Sequence, residues 1–431
     1  MGKNLYRLLV SRRLGPLFWA QFAGALNDNL LKNAYVILVA YREAQSTSAT
    51  EMIVTLATAI FILPFFLFSA IAGELADKYA KSLLVRRIKA VEIMIALLGA
   101  LSFAVGDIGL QLFVLFLLGA QATFFGPVKY AILPELLAEK ELLDGNALIE
   151  AGTFLAILVG TIAGGLLILL PWGKTVTSAA LIAIAVAGYG ASSLVPKTRR
   201  TSPKLRVSLN MPMTIWAVIA DARKNREIWL TVLGNSWFWF VGAGVISQFP
   251  IYAKEYLSAN NEVVTTFLMI NSVGVGLGAL FCSRFFRGEI SARLVPISVS
   301  GMALFTFDLW FGAAAPHGGE SLMGIATFLA EPAHWRILVD LFGVAFSAGV
   351  YVVPLYVIMQ AHSEPAERSR VIAANNILNA LFIVVAGGGS AIMLKLGTGV
   401  PAIFLVLAVL NAVLAAALWL RRRALRIPPR R

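Results

Sequence analysis

The stretch GALNDNLLKNAYVIL, Gly24 to Leu38, sets an acid and a base four residues apart, Asp28 and Lys32, among the amides Asn27, Asn29 and Asn33. Helix positions four apart share a face, so Asp28 and Lys32 lie on one side and Asn29 lies above Asn33. Such an array can hold both charges of a zwitterion or exchange a proton, or it can close on itself as an ion pair that joins helices. A second pairing is Lys129 with Glu150, which reach similar depth if the segments carrying them run antiparallel. Pro127, two residues before the lysine, lacks an N–H and is placed to interrupt its helix; alternatively Lys129 snorkels to the nearer membrane face. A third set lies in GELADKYAKSLLVRR, where Gly73, Asp77, Lys78 and Lys81 form a loop motif. Asp77 is suited to a helix N-terminus elsewhere in the fold. Gln121, Asn235, Gln248, Asn375, Asn376 and Asn379 complete the polar candidates inside apolar segments. Cys282 is alone, and His317, His334 and His362 lack a second ligand at metal spacing. No catalytic residue, metal or cofactor is therefore expected, and the chain does not read as an enzyme.

The elements that hold these residues follow from composition. Of 431 residues, 59% are hydrophobic and 14% charged, more apolar surface than a soluble core of this length buries. The chain reads as an all-α membrane protein. Segments of about 20 apolar residues recur twelve times, the first near 17–41 and the last near 399–420. Asp28 then lies ~16 Å into the first span, where an ionised group costs about 2.5–3.5 kcal/mol. Of the 36 lysines and arginines, only Arg42, Lys174, Lys254, Arg336 and Lys395 fall in outer loops, and Lys32 and Lys129 lie within spans. The remainder, including Arg86, Arg87 and Lys89, are assigned to the opposite side, which places both termini in the cytoplasm. The charge of +13 thus reflects topology and attraction to anionic lipid; with no nucleic-acid motif present, it is not a nucleic-acid footprint. The N-terminal apolar segment is too long for a signal peptide and reads as a retained span.

The longest interruption divides the chain into residues 1–195, a linker at 196–228 with an amphipathic stretch suited to the inner membrane face, and residues 229–431. The two six-span halves echo each other. In GPVKYAILPELLAEKELLDGNALIEAGT and VVPLYVIMQAHSEPAERSRVIAANNILNAL, Pro127 answers Pro354, Tyr130 roughly answers Tyr356, Asn146 answers Asn375, and Glu150 answers Asn379. Parallel six-helix repeats are a transporter architecture. By the same symmetry, Lys129 and Glu150 should oppose Asn375, Asn376 and Asn379 at a cytoplasmic gate, with Glu150 neutralised mainly by Lys129.

The pattern G-x-L-x-D-x-x-x-K from Gly73 to Lys81 resembles the signature loop of the major facilitator superfamily. The segments ALNDNLLKNA, FFGPVKYAILPELL, GNALIEAGTFLAILVGTIAGG, SWFWFVGAGVISQFPIYAKEY and VIAANNILNA are similar to the lysophospholipid transporter family, a branch of that superfamily. Among its members they most resemble the transporter module that some bacteria fuse ahead of a lysophospholipid acyltransferase and an acyl-carrier-protein synthetase. The resemblance implies twelve helices in two halves (the major facilitator fold) in the bacterial inner membrane, moving lysophospholipids such as lysophosphatidylethanolamine from outer to inner leaflet for reacylation. Its matching positions are Asp28, Asn29, Lys129 and Glu150. Two features depart from it: Gln248 stands where stand-alone members tend to carry arginine, and His334 and Asp340 have five residues between them where an acyltransferase signature has four. Acylation would belong to a partner polypeptide or to another part of a fusion.

The residue types suit that cargo. Lys129 or the amides would take a phosphate, Asp28 or Glu150 an ammonium, and the Phe-rich face from Phe61 to Phe68 an acyl chain. The small-residue runs Gly274–Gly278 and Gly387–Gly389 are candidates for close helix contacts. A proton-coupled small-molecule exporter using Asp28, and a non-transporting scaffold for an acyltransferase, are the alternative readings.

Overall fold

A computed structural model describes residues 2–42, 47–286, 291–312 and 322–421. Twelve long helices fill it: α1 Gly15–Arg42, α2 Thr47–Lys78, α3 Lys81–Val105, α4 Ile108–Ala131, α5 Leu142–Ile168, α6 Gly173–Ser193, α7 Arg226–Ile246, α8 Asn261–Phe286, α9 Val295–Gly312, α10 Pro332–His362, α11 Arg368–Lys395 and α12 Val400–Leu420. Among the described residues, all but α1 are long and apolar enough to cross a membrane. At 28 residues α1 is long enough; its polar middle lowers its hydropathy.

Local signals set the helix ends. Asp107 caps α4 by accepting from the Leu110 N–H at 2.6 Å, and Asn225 caps α7 by accepting from Glu227 and Ile228. Gly106, at φ 75°, closes α3 in the left-handed conformation. Pro127 does not break α4, which continues to Ala131; in lipid a helix keeps its remaining backbone bonds because no water replaces them. The seventh span is interrupted: the regular α-helix ends at Ile246, and after Ser247 and Gln248 the chain is helical again over Phe249–Ile251 and widens to a π-helix over Tyr252–Tyr256. Pro250 removes a donor there.

The first six helices pack as α1 on α5, α2 on α4, and α3 on α6; the last six repeat the scheme as α7 on α11, α8 on α10, and α9 on α12. Between the sets, α2 meets α11 and α5 meets α8, the reciprocal contacts of two equivalent bodies side by side. Helices α8 and α10 approach closely at Gly278 of α8, where a Cβ would stand 2.1 Å from the Phe346 carbonyl oxygen, and at Gly349 of α10, where one would stand 2.1 Å from the Val275 carbonyl oxygen. The run Gly387–Gly389 makes no comparable contact, for a Cβ at any of the three would meet open space. The helix Met211–Lys224 lies between the two sets in sequence and packs on α2, α7 and α11. It leaves Met213 and Trp216 exposed. Because helices alternate direction, α1 begins and α12 ends on one face, called the base below.

Candidate functional site

The deepest charges gather inside the first six helices. Lys89 and Glu92 are three apart on α3, both fully buried, with Nζ to Oε2 at 2.6 Å. Gln121 of α4 donates to the same carboxylate oxygen at 2.8 Å, and the Lys89 ammonium lies 5.2 Å from the Phe125 ring centroid. The ammonium also presses on α1: a Cβ at Gly24 would come within 2.4 Å of Nζ, so any larger residue there would displace the ammonium. One turn further along α1 stands Asp28. At 1.5 Å per residue, these four polar side chains sit roughly 12–20 Å from the base ends of their helices, near mid-membrane.

Asp28 is not closed off by Lys32. No ion pair within 4.0 Å joins them; Lys32 sits 5.4 Å from the centre of the Phe61 ring on α2, and the Asp28 carboxylate instead feels Glu92 as a like charge and Lys89, Lys32 and Lys129 as opposite ones. Asn29 bonds back to the Ala25 carbonyl, and Asn33 donates to Thr161 O of α5 at 2.6 Å. Three buried acceptors, Asn27 Oδ1, Asp28 Oδ1 and Glu92 Oε1, have no hydrogen-bond partner. In the second half Asn235 is likewise unmatched, whereas Asn375 and the Trp239 indole N–H reach toward the Tyr356 hydroxyl. Buried polar groups are ordinarily satisfied. Unmatched ones on both sides of a membrane protein suit a polar ligand.

Toward the base the halves interlock. Tyr130 and Tyr356, the repeat-related tyrosines, stack with ring centroids 4.2 Å apart and planes within 7°. Glu150 accepts a hydrogen bond from the Tyr130 hydroxyl, while Lys129 turns its ammonium over the Tyr130 ring at 4.5 Å. No ion pair within 4.0 Å joins Lys129 to Glu150; both touch Tyr130, and Lys129 remains the opposite charge that acts on the Glu150 carboxylate. Asn146 of α5 and Gln360 of α10 exchange amide hydrogen bonds at 2.8 and 2.9 Å. Asn376 meets Gly126, at which a Cβ would stand 2.6 Å from its amide nitrogen, and Asn379 accepts from Ser236 of α7.

Asp77 ends α2 beneath the first turn of α11. Its carboxylate accepts from the Ser369 N–H at 3.0 Å and the Arg370 N–H at 3.3 Å, and from Arg370 Nε at 3.2 Å. A carboxylate at a helix N-terminus satisfies orphan donors and the dipole together. Gly73, one turn earlier, permits the approach: a Cβ would stand 2.7 Å from that of Ala373. Lys81 is buried and pairs with Glu135 at 2.8 Å, and Lys78 lies over the Tyr79 ring. The strand of linker after α6 ties down the same corner, with the Thr201 hydroxyl and the Ser202 N–H both donating to the Asp77 carbonyl.

The structure thus brings Asp28, Gln121, Lys129 and Glu150 toward one polar interior, and Gly73, Asp77, Asn375 and Asn376 to the junction of the halves. Gln248 stands apart. It lies at the interruption of the seventh span, toward the face opposite the base, where its amide donates to the Ser247 hydroxyl. Lys89 and Glu92 were missed by sequence reasoning, which assigned Lys89 to the basic run with Arg86 and Arg87; their i,i+3 spacing within an apolar segment was the available signal. Tyr130, Tyr356, Asn146 and Gln360 were visible only as parts of a repeat.

The interlock can be tested directly. With Cys282 replaced by alanine, cysteines at 146 and 360 should be joined in high yield by a short bis-thiol reagent and the joined protein should lose transport. Full transport after complete crosslinking would show that this contact never opens.

A sequence profile described as Major Facilitator Superfamily matches residues 17–387. The chain is 28% identical over 431 residues to the lysophospholipid transporter LplT of Citrobacter koseri, with 96% of each chain covered. It is 27% identical over 429 residues to LplT of Cronobacter sakazakii, covering 96% of this chain and 97% of that one. Among solved structures, the human organic anion transporter MFSD10 superposes with a TM-score of 0.69 at 15% identity, covering 94% of this chain and 99% of that one. The Escherichia coli fucose:proton symporter FucP gives 0.68 at 14% identity, with 95% and 98% covered. At such identities these two likenesses concern the fold.

Proposed function

The chain belongs to the Major Facilitator Superfamily, and from that premise we propose that it carries lysophospholipids from the outer to the inner leaflet of a bacterial inner membrane. In this reading the base is cytoplasmic, residues 1–195 and 229–431 are the two moving bodies, and the linker lies on the inner membrane surface. The observation that carries the proposal is a mid-membrane set of both charge signs, Asp28 and Glu92 with Lys32 and Lys89, whose buried acceptors are incompletely used. A zwitterionic head offers an ammonium to those acceptors and a phosphate to the lysines. The single acyl chain needs an apolar wall, and beside Lys32 the half-buried rings Phe61, Phe65 and Phe68 of α2 continue to Phe116 and Phe124 of α4. Near-complete alignment with lysophospholipid transporters supports the same cargo.

The steps follow from the contacts. The interlocked base holds the head near Asp28 with the opposite face as its route of entry. Closing that face would break the Tyr130–Tyr356 stack, the Asn146–Gln360 exchange and the Asp77 contact with α11, letting the head leave on the base side. No covalent step is involved. Reacylation falls to an acyltransferase partner, which requires only that the product reach the inner leaflet.

A lysophospholipid carrying a photoreactive acyl chain should label the purified protein on α2 or α4. Excess unlabelled lysophospholipid should compete, and diacyl phospholipid or a lipophilic drug cation should not. Equal competition by the drug cation would favour the exporter reading instead.

A further inference from the structure

A cleft of about 990 Å³ opens at the base, on the seam where α5 meets α8, and is separate from the polar interior. Its inner wall is apolar: Leu277, Leu280 and Phe281 of α8 with Phe346 of α10. The short amphipathic helix Gly2–Leu9 roofs it with Leu5 and Leu8. The rim is basic. Arg7, Arg13, Lys140 and Arg284 line it beside two acids, of which one is ion-paired and the other is bonded to a neutral hydroxyl. Glu141 takes Arg13 through two hydrogen bonds of 2.8 Å, and Asp144 accepts from the Ser283 hydroxyl. Arg7, Lys140 and Arg284 have no ion pair among the described residues.

We infer that this cleft binds an anionic diacyl phospholipid of the surrounding bilayer, with its phosphate among Arg7, Lys140 and Arg284 and an acyl chain along Phe281 and Phe346. Charge complementarity selects the occupant: four cations against two carboxylates leave a net excess of positive charge over an apolar slot, at the depth of lipid headgroups, which matches a ligand with net negative charge and a long apolar tail. A zwitterionic lipid would leave the excess charge unanswered. The cleft volume lies in the range of sites that bury most of a ligand. Because Arg7 and Lys140 belong to the first half and Arg284 and Phe346 to the second, a lipid seated here spans the halves on the same face as the Tyr130–Tyr356 stack. It therefore favours the interlocked base, which makes anionic lipid a regulator of the transport cycle whatever the cargo.

The test uses the full chain in nanodiscs of phosphatidylcholine, alone or with phosphatidylglycerol. Wild type should gain about 4 °C in its unfolding midpoint with phosphatidylglycerol and retain about one labelled phosphatidylglycerol through purification. The triple variant Arg7→Gln, Lys140→Gln, Arg284→Gln should match wild type in phosphatidylcholine and lose both effects. Removing equal charge elsewhere, as Arg12→Gln, Arg199→Gln, Arg206→Gln, should preserve them. The inference is overturned if the cleft variant keeps the gain, if the control variant loses it equally, or if lysophospholipid displaces the retained lipid as readily as phosphatidylglycerol does, which would make the cleft a cargo exit. A cleft variant too unstable to purify is replaced by Arg284→Gln alone, expected to lose at least half of the retained lipid; unchanged retention would count against the site.

Discussion

Lys89→Met is expected to destabilise the protein by about 3–5 kcal/mol, the usual cost of leaving a buried charge without its partner. Glu92 is fully buried, and its hydrogen-bond partners among the described residues are Lys89 and the Gln121 amide, both on Oε2. Methionine keeps most of the side chain's length beside Gly24, so the loss is chiefly electrostatic. Adding Glu92→Gln should restore a large part of it, since the double variant removes both charges and keeps an amide for Gln121. Thermal unfolding of the wild type, two single variants and double variant gives the coupling directly. Strictly additive losses would mean that the two side chains do not stabilise each other and that the buried pair is misplaced.

Asp28→Ala should behave in the opposite manner, lowering transport at least about 100-fold while changing stability by about 1 kcal/mol or less. Asp28 is near three lysines yet forms no close ion pair with Lys32, and one of its oxygens is unbonded. Its removal deletes little that holds the resting structure together. What it deletes is the carboxylate facing the cargo's ammonium. The contrast with Lys89 is informative because both residues belong to one polar cluster: one is committed to a neighbour, the other is held in reserve. Binding and initial rate measured on purified Asp28→Ala would check it. Normal transport would return Asp28 to a packing role, and loss of folding would make it structural.

How much of this was readable beforehand depended on whether a residue's partner lay in its own segment. Asp28 and Lys32 announced themselves because ionised groups are costly in a helix that lies in lipid, and the Gly73–Asp77 motif, which ends α2, was recognisable by its resemblance to a family signature. The partners were not. That Asp77 meets Ser369 and Arg370 requires α2 and α11 side by side, a juxtaposition nearly 300 positions apart in the chain. Lys89 was assigned to the base-side basic run because Arg86 and Arg87 precede it. Only the helix register shows that a residue two positions further along can point inward. The repeat related Tyr130 to Tyr356, but their stacking needs the near-twofold arrangement that sets equivalent positions face to face. Gln248 lies at an interruption of the seventh span that its apolar run does not announce: the α-helix pauses at Ser247 and Gln248 and the chain is helical again from Phe249 to Tyr256.

The central claim, that the polar interior carries a lysophospholipid head across the membrane, is tested most directly in proteoliposomes by the rate at which a head-labelled lysophospholipid becomes inaccessible to an external quencher or enzyme. Wild type should move lysophosphatidylethanolamine well above the protein-free rate, leave diacyl phosphatidylethanolamine at background, and lose the activity on Asp28→Ala. Lysophospholipid movement at the protein-free rate, with and without a proton gradient, while a drug-like cation is carried against that gradient, would contradict the account.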